Sequence, residues 1–328
     1  MIAGQKIIAF TPCGRKRYMD LLAAHVVREH ALGHIDKWVL FNNPYTIEDS
    51  TYAAQLAANY DWIEILNVGA VTSVRGAHQI ASFYSSLTET DCIYVRLDDD
   101  LIYIHENAIV NLVNYRIAHP QPFLVYPTII NNTRTSYQLQ KHGLIPESWG
   151  IVEPILCAVT AWATPSFVLN LHQKAVAAID GGTLAAEFAL PDEEFTDWET
   201  GNISINSFAI FGKDMIECNV GADEEGYLSK FRPQALRRFN ARCGDALVIH
   251  FAYHPQTAFM DLSGMLTDYA RLVEPLPFRT YRLPPDAPPL APAPAAVPAP
   301  LSDQQIRLQR QMVRNLAMAQ NNREGLRA

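Results

Sequence analysis

The sequence predicts an α/β fold in which a parallel sheet carries helices on its faces. Three observations carry this. Short apolar, β-rich runs alternate with longer amphipathic stretches through the first half of the chain. Successive runs are spaced so that a crossover helix fits between them. The 328 residues, 49% hydrophobic and 18% charged, have the composition of a folded globular protein able to bury a full core.

In order, residues 6–11 (KIIAFT) read as a buried strand, and Met19, Leu22, Val26 and Val27 form one face of the helix that follows. Residues 38–41 (WVLF) are a second strand, ended by Asn42-Asn43-Pro44, and residues 62–66 (WIEIL) a third. Ile80, Phe83, Tyr84 and Leu87 mark a helix before the fourth strand, residues 93–97 (IYVRL). A further helix carries Ile109, Leu112, Val113 and Ile117, and a strand covers 123–126. The second half is less regular, with a helix over 166–179 and strands over 204–211 and 246–251.

Composition shifts late in the chain. Eight prolines interleaved with alanine between Pro284 and Pro300 predict an extended spacer over 277–300, because proline fixes φ and removes a donor. Beyond it, Ser302 followed by Asp303 reads as a helix start. Ile306, Met312, Val313, Leu316 and Ala317 then form an apolar stripe beside Arg307, Arg310 and Arg314. Residues 301–328 are thus predicted to be an amphipathic helix, either packed back on the body or used for docking and self-association. The division is a main domain over 1–276, the spacer, and this helix.

Charge and cysteine usage narrow the function. With 26 basic against 34 acidic residues the formal net charge is -8, which argues against a body built to grip a bare phosphate backbone. Five cysteines, widely spread and without CxxC spacing, indicate neither a disulfide framework nor a zinc ribbon, so a reducing cytoplasm is the expected setting. The longest apolar stretch, residues 155–164, is about half of a bilayer span.

The strongest chemical signal is Arg96-Leu97-Asp98-Asp99-Asp100-Leu101, three carboxylates directly after an apolar strand, where ligands of open α/β sheets collect. Adjacent carboxylates repel, and a divalent cation would relieve that repulsion. Asp98 and Asp100 share a side if the chain stays extended, and could both address one Mg²⁺ or Mn²⁺. The alternative is a solvated acidic turn with Asp99 or Asp100 capping the next helix.

Embedded as IYVRLDDDLIYI, the triplet resembles the DxD motif of nucleotide-sugar glycosyltransferases of the GT-A fold. The opening KIIAFTP resembles their first nucleotide-binding strand, and the segments DEEGYL (223–228) and CGDALVIHF (243–251) are similar to some bacterial-type members. The resemblance covers residues 1–276 and implies a Rossmann-type mixed sheet flanked by helices. It further implies Asp98 near the nucleotide, and Asp98, Asp100 and His250 as metal ligands for Mn²⁺ or Mg²⁺. It puts Thr11, Pro12, Arg15, Arg75 and Arg96 beside a nucleoside diphosphate sugar, with UDP favoured. Lys16 and Arg17 could add positive potential near the phosphates.

A transfer with inversion needs a base for the acceptor hydroxyl. Asp223, Glu224 and Glu225 are candidates, as are Asp192, Glu193 and Glu194, and the resemblance favours Asp223 or Glu224. Trp198, Glu199 and Asn202 could shape an acceptor pocket, and Trp149 and Trp162 could stack on sugar rings. The expected reaction is metal-dependent glycosyl transfer to an acceptor hydroxyl, a glycan first, with modified nucleic acid a minority option. Two readings compete: a sugar nucleotidyltransferase, which should carry a glycine-rich loop where only Gly14 stands, and a catalytically silent carbohydrate- or partner-binding protein.

Overall fold

Nine strands join in one mixed sheet among the residues that the computed structural model describes, 1–67, 77–198, 200–221 and 223–273. They are β1 (Lys6–Cys13), β2 (Lys37–Asn42), β3 (Ile63–Leu66), β4 (Cys92–Leu97), β5 (Leu101–Ile104), β6 (Val125–Ile130), β7 (Glu193–Glu194), β8 (Ser207–Phe211) and β9 (Ala241–His250). The order is β3-β2-β1-β4-β8-β6-β9-β5, with β7 also on β9. Helices flank the sheet in a GT-A-like, Rossmann-type α/β arrangement. Arg75, Glu199, the 277–300 spacer and the 301–328 helix lie outside the described residues.

The first half follows the sequence reading. β3, β2, β1 and β4 are mutually parallel, joined by crossovers as the alternation requires. These strands are buried on both faces at β1 and β4, which explains runs of apolar residues without alternation. Phe10 of β1 sits at the centre, its ring 5.5–6.2 Å from those of Phe41, Tyr84, Tyr94 and Phe208.

The second half makes the sheet mixed, as the resemblance implies. β8 runs antiparallel between β4 and β6, and β5 and β7 run antiparallel to β9. β6 is again parallel to β9, so the carboxyl ends of β1, β4, β6 and β9 share one edge. The strand expected over 123–126 is shifted to Val125–Ile130, and the one expected over 246–251 begins at Ala241. Several elements were not legible, helix Ile47–Asn59 and β5 among them. Helix Ile47–Asn59, started by a Thr46–Asp49 capping box, buries only Asp49, Tyr52, Ala53 and Leu56, too weak an apolar stripe to read. β5 follows the acidic triplet directly, and its partner β9 lies some 150 residues downstream, beyond any local pattern.

A close approach fixes the β6–β9 register. Between Pro127 and Thr128 the pairing jumps from Cys243 to Leu247, and Gly244 lies in the resulting bulge. Its carbonyl accepts from Thr128 Oγ1 at 2.8 Å and Leu190 N at 3.1 Å. A Cβ at Gly244 would stand 1.7 Å from the Leu190 carbonyl oxygen, so backbone must move. Gly244→Ala is expected to cost about 3 kcal/mol and to lower Tm by roughly 6–12 °C, checked by thermal unfolding; an unchanged Tm would contradict this packing.

Candidate functional site

The acidic triplet forms a tight turn, closed by Leu101 N donating to Asp98 O at 3.1 Å, rather than an extended run or a helix cap. In the turn Asp98 turns to Arg96 and Asn206, whereas Asp99 and Asp100 share Arg15. Asp98 accepts from Arg96 Nε at 2.7 Å and from Asn206 Nδ2 at 3.4 Å. Asp99 accepts from Gly14 N at 2.9 Å and from the Arg15 guanidinium. Asp100 Oδ2 lies 2.8 Å from Arg15 Nη2 and 3.3 Å from His250 Nε2.

His250 ends β9 and is 2% exposed at its side chain. Its Nδ1 is 2.9 Å from the Asn131 carbonyl oxygen, which can only accept, so Nδ1 carries the proton and Nε2 faces Asp100. Asn131 follows β6 with a left-handed φ of 63°, a conformation asparagine tolerates, and its side-chain amide donates to Phe251 O and Gln256 Oε1. The backbone turn after β6 therefore sets the imidazole.

A second knot lies beside the first. Arg96, at the end of β4 and 4% exposed, donates to Asp98, Glu224 and Tyr84, and the Tyr84 hydroxyl donates to Glu224. Tyr84 reaches the site from the core, where its ring packs edge-on to Phe10. Four carboxylates (Asp98, Asp99, Asp100, Glu224) thus meet two guanidiniums (Arg15, Arg96) and one imidazole.

Electrostatics divide the acids. Burial raises the Asp98 pKa to about 7, opposed by Arg96 and reinforced by Asp100 and Glu224. Burial also acts to raise Asp100, but Arg15 and His250 outweigh it and hold this carboxyl well below the usual range. His250 is the converse: burial lowers it, and Asp100 more than restores it, leaving the imidazole above its ordinary value. Asp100 and His250 thus each favour the charged form of the other.

These residues fit a divalent cation in part. Asp100 Oδ1 is buried with no hydrogen-bond partner, the kind of orphaned acceptor a cation satisfies. With the neighbouring His250 Nε2 it supplies an oxygen and a nitrogen donor. Asp98 is engaged by Arg96 and Asn206 instead. Among the described residues, the set of three metal-type ligands within 4.8 Å of one another is Asp192, Cys243 and Asp245. It sits near the other end of β9: Glu193 pairs with Arg242, which lies opposite Tyr126 of β6 while Ile249 lies opposite Ile130, so His250 is roughly 17 Å further along the strand. There Asp192 Oδ1 already accepts from Gly244 N at 2.7 Å, and burial pushes the Cys243 thiol far up, away from a ligating thiolate.

The remaining predicted residues scatter. Thr11 and Pro12 are buried within β1, and the Thr11 hydroxyl accepts from Trp38 Nε1 at 2.9 Å. Lys16 turns to Asp20 and Glu48, and Arg17 to Asp261, so of the basic loop only Arg15 meets the acids. Asp223 is exposed and caps the helix over 224–226 by accepting from Gly226 N at 2.9 Å. Glu224 is the buried partner of Arg96, while Glu225 faces Ser204 Oγ at 3.4 Å. Burial raises the Glu225 pKa, against the Ser204 hydrogen bond and Arg96. A π-helical turn, Tyr227–Phe231, follows these acids and is a departure that recurs at functional sites.

Trp198 donates Nε1 to Arg238 O at 2.9 Å, at a cavity of about 360 Å³ lined by Pro120, Glu194, Phe195, Arg237 and Phe239. That cavity opens by the starts of β6 and β9, the opposite edge of the sheet from Asp100. Tyr84, Asn131 and Asn206 were not singled out from sequence as site residues. Asn131-Asn132 after an apolar strand was the one visible signal, since such a pair favours a turn.

The fold and these side chains define an α/β protein of GT-A-like architecture with a charged site at the carboxyl edge of its sheet. No protein-family model matches the chain, and no curated protein matches it by sequence. Among solved structures, 4-diphosphocytidyl-2C-methyl-D-erythritol synthase from Anaerococcus prevotii is similar at 16% identity and a TM-score of 0.27, over 38% of this chain and 55% of that one. A further structure of that synthase gives 16%, a TM-score of 0.27, and 37% and 59%. Glucosyl-3-phosphoglycerate synthase from Mycobacterium tuberculosis, in complex with Mn²⁺, UDP and phosphoglyceric acid, gives 16%, a TM-score of 0.31, and 56% and 66%. The chain thus spans between about half and two thirds of these structures, and the reading of the site rests on its own geometry. Among the described residues, no helix is long and apolar enough to cross a membrane.

Proposed function

We propose that the chain is a metal-dependent glycosyltransferase that moves a sugar from a nucleoside diphosphate donor, a UDP-sugar by preference, to an acceptor hydroxyl with inversion. The observation that carries this reading is the Asp100–His250 pair, with its orphaned buried oxygen, at the carboxyl edge of the sheet beside Arg15. A divalent cation held by Asp100 and His250 would neutralise the charge growing on the departing diphosphate. Arg15, one-fifth exposed at the end of β1, adds a guanidinium suited to phosphate oxygens. Arg96 fixes Asp98 near the nucleotide and is itself fixed by Glu224 and Tyr84. Arg75, outside the described residues, keeps its proposed place on the nucleotide from the resemblance alone. A glycan is the proposed acceptor.

Of the base candidates Asp223, Glu224 and Glu225, the third best suits the task. Asp223 is spent on a cap and Glu224 on Arg96, whereas Glu225 has one long hydrogen bond and a raised proton affinity. A base must be ionised to act, so transfer should rise with pH through a pKa above the ordinary carboxylate range and then level. Glu225→Gln is expected to lower kcat by roughly 10²–10⁴ and to remove that acidic limb. UDP release from UDP-glucose, UDP-galactose and UDP-N-acetylglucosamine with Mn²⁺ and a glycan acceptor, followed against pH, checks both. An unchanged limb in the variant would assign the proton to another group.

A further inference from the structure

We propose that Arg15 holds the place a divalent cation must take, so that metal entry and release of this guanidinium from Asp100 are one event. The proposal rests on the reading of Asp100 and His250 as the metal pair. Arg15 Nη2 lies 2.8 Å from Asp100 Oδ2, the same oxygen that stands 3.3 Å from His250 Nε2. A cation shared by Asp100 and His250 at that oxygen therefore meets Arg15 directly, and two cations on one carboxylate oxygen repel. The other oxygen, Oδ1, is buried without a hydrogen-bond partner and is left to a cation that also takes Oδ2.

Arg15 is built to move a short way rather than to leave. Its Nε stays within hydrogen-bonding distance of both Asp99 oxygens, at 3.1 and 3.2 Å, which are anchored in turn by Gly14 N at 2.9 Å. The Tyr18 and Tyr45 rings lie 5.1 and 6.0 Å from its guanidinium carbon and give it an alternative resting surface. Pivoting on Asp99, the guanidinium stays at the site mouth, where an anionic diphosphate would draw it off Asp100. Arg15 thus weakens metal binding in the absence of nucleotide, and a nucleotide that engages it restores that affinity. Linkage makes the effect reciprocal: the metal tightens nucleotide by the same factor.

The test is Mn²⁺ binding to the full chain, read as free Mn²⁺ by electron paramagnetic resonance, with and without UDP. It is run on the wild type, Arg15→Ala, Arg15→Gln and Asp100→Ala, each checked for folding by thermal unfolding. Both Arg15 variants are expected to bind Mn²⁺ alone about tenfold more tightly than the wild type, within the usual span of coupling between sites. The factor by which UDP tightens Mn²⁺ should shrink by the same amount. If the wild type binds Mn²⁺, Asp100→Ala does not, and a folded Arg15 variant binds it no better than the wild type, Arg15 is not the displaced group, while the metal pair stands. If no form binds Mn²⁺ with or without UDP, both the metal pair and the role of Arg15 are overturned.

Discussion

Asp100→Ala is expected to lower glycosyl transfer by roughly a thousandfold or more and to abolish Mn²⁺-dependent nucleotide binding. The size follows from the several kcal/mol that a metal supplies to a departing anion, at about 1.4 kcal/mol per factor of ten. The fold should survive, because Arg15 keeps Asp99 as a partner and His250 keeps its bond to the Asn131 carbonyl. His250, whose proton affinity is raised chiefly by Asp100 against burial, should titrate lower in the variant. Steady-state rates at saturating Mn²⁺ decide the point. A folded variant with near wild-type turnover would remove Asp100 from the reaction.

Glu224→Ala should be the most destabilising single change in the site. It leaves Arg96, 4% exposed, with Asp98 and Tyr84 but without the carboxylate that faces its Nη1. Breaking a buried pair from one side costs about 3–5 kcal/mol, because the remaining charge stays desolvated. Removing both members together with apolar replacements, Arg96→Met with Glu224→Met, should recover only part of that loss, because Asp98 then loses its guanidinium. Transfer should be lost in the double variant, where Asp98 loses its Arg96 partner. Urea denaturation of the single and double variants tests this, and a double variant no more stable than Glu224→Ala would show that the pair does not act as a unit.

Much of the fold was legible because β1, β2, β3 and β4 are buried, parallel and joined by crossovers, so each is a local apolar run with a helix after it. The antiparallel direction of β8 and the edge strands β5 and β7 were not, because these are set by partners far along the chain. Asp100, His250, Arg15 and Arg96 come together at one edge because each lies near or just beyond the end of a strand. Thr11 and Pro12 precede that edge and lie inside β1, which an apolar run alone does not reveal. What the sequence could not show is how three adjacent acids divide. The turn at Asp98 and the separate guanidiniums of Arg15 and Arg96 settle that, and both depend on tertiary contacts. The same holds for Tyr84, which reads as a core aromatic and is one, with only its hydroxyl in the site.

The central claim is a nucleoside diphosphate site that depends on a divalent cation at Asp100. Thermal unfolding of the full chain with UDP, GDP, dTDP or CMP, each with and without Mn²⁺, tests it most directly. A ligand bound only by the folded state adds about 2.7 kcal/mol at a hundredfold excess over its Kd, enough to read as a shift in Tm. The account expects a shift with UDP that requires Mn²⁺ and is absent in Asp100→Ala. No shift with any nucleotide in Mn²⁺, or an equal shift in Asp100→Ala, would contradict it.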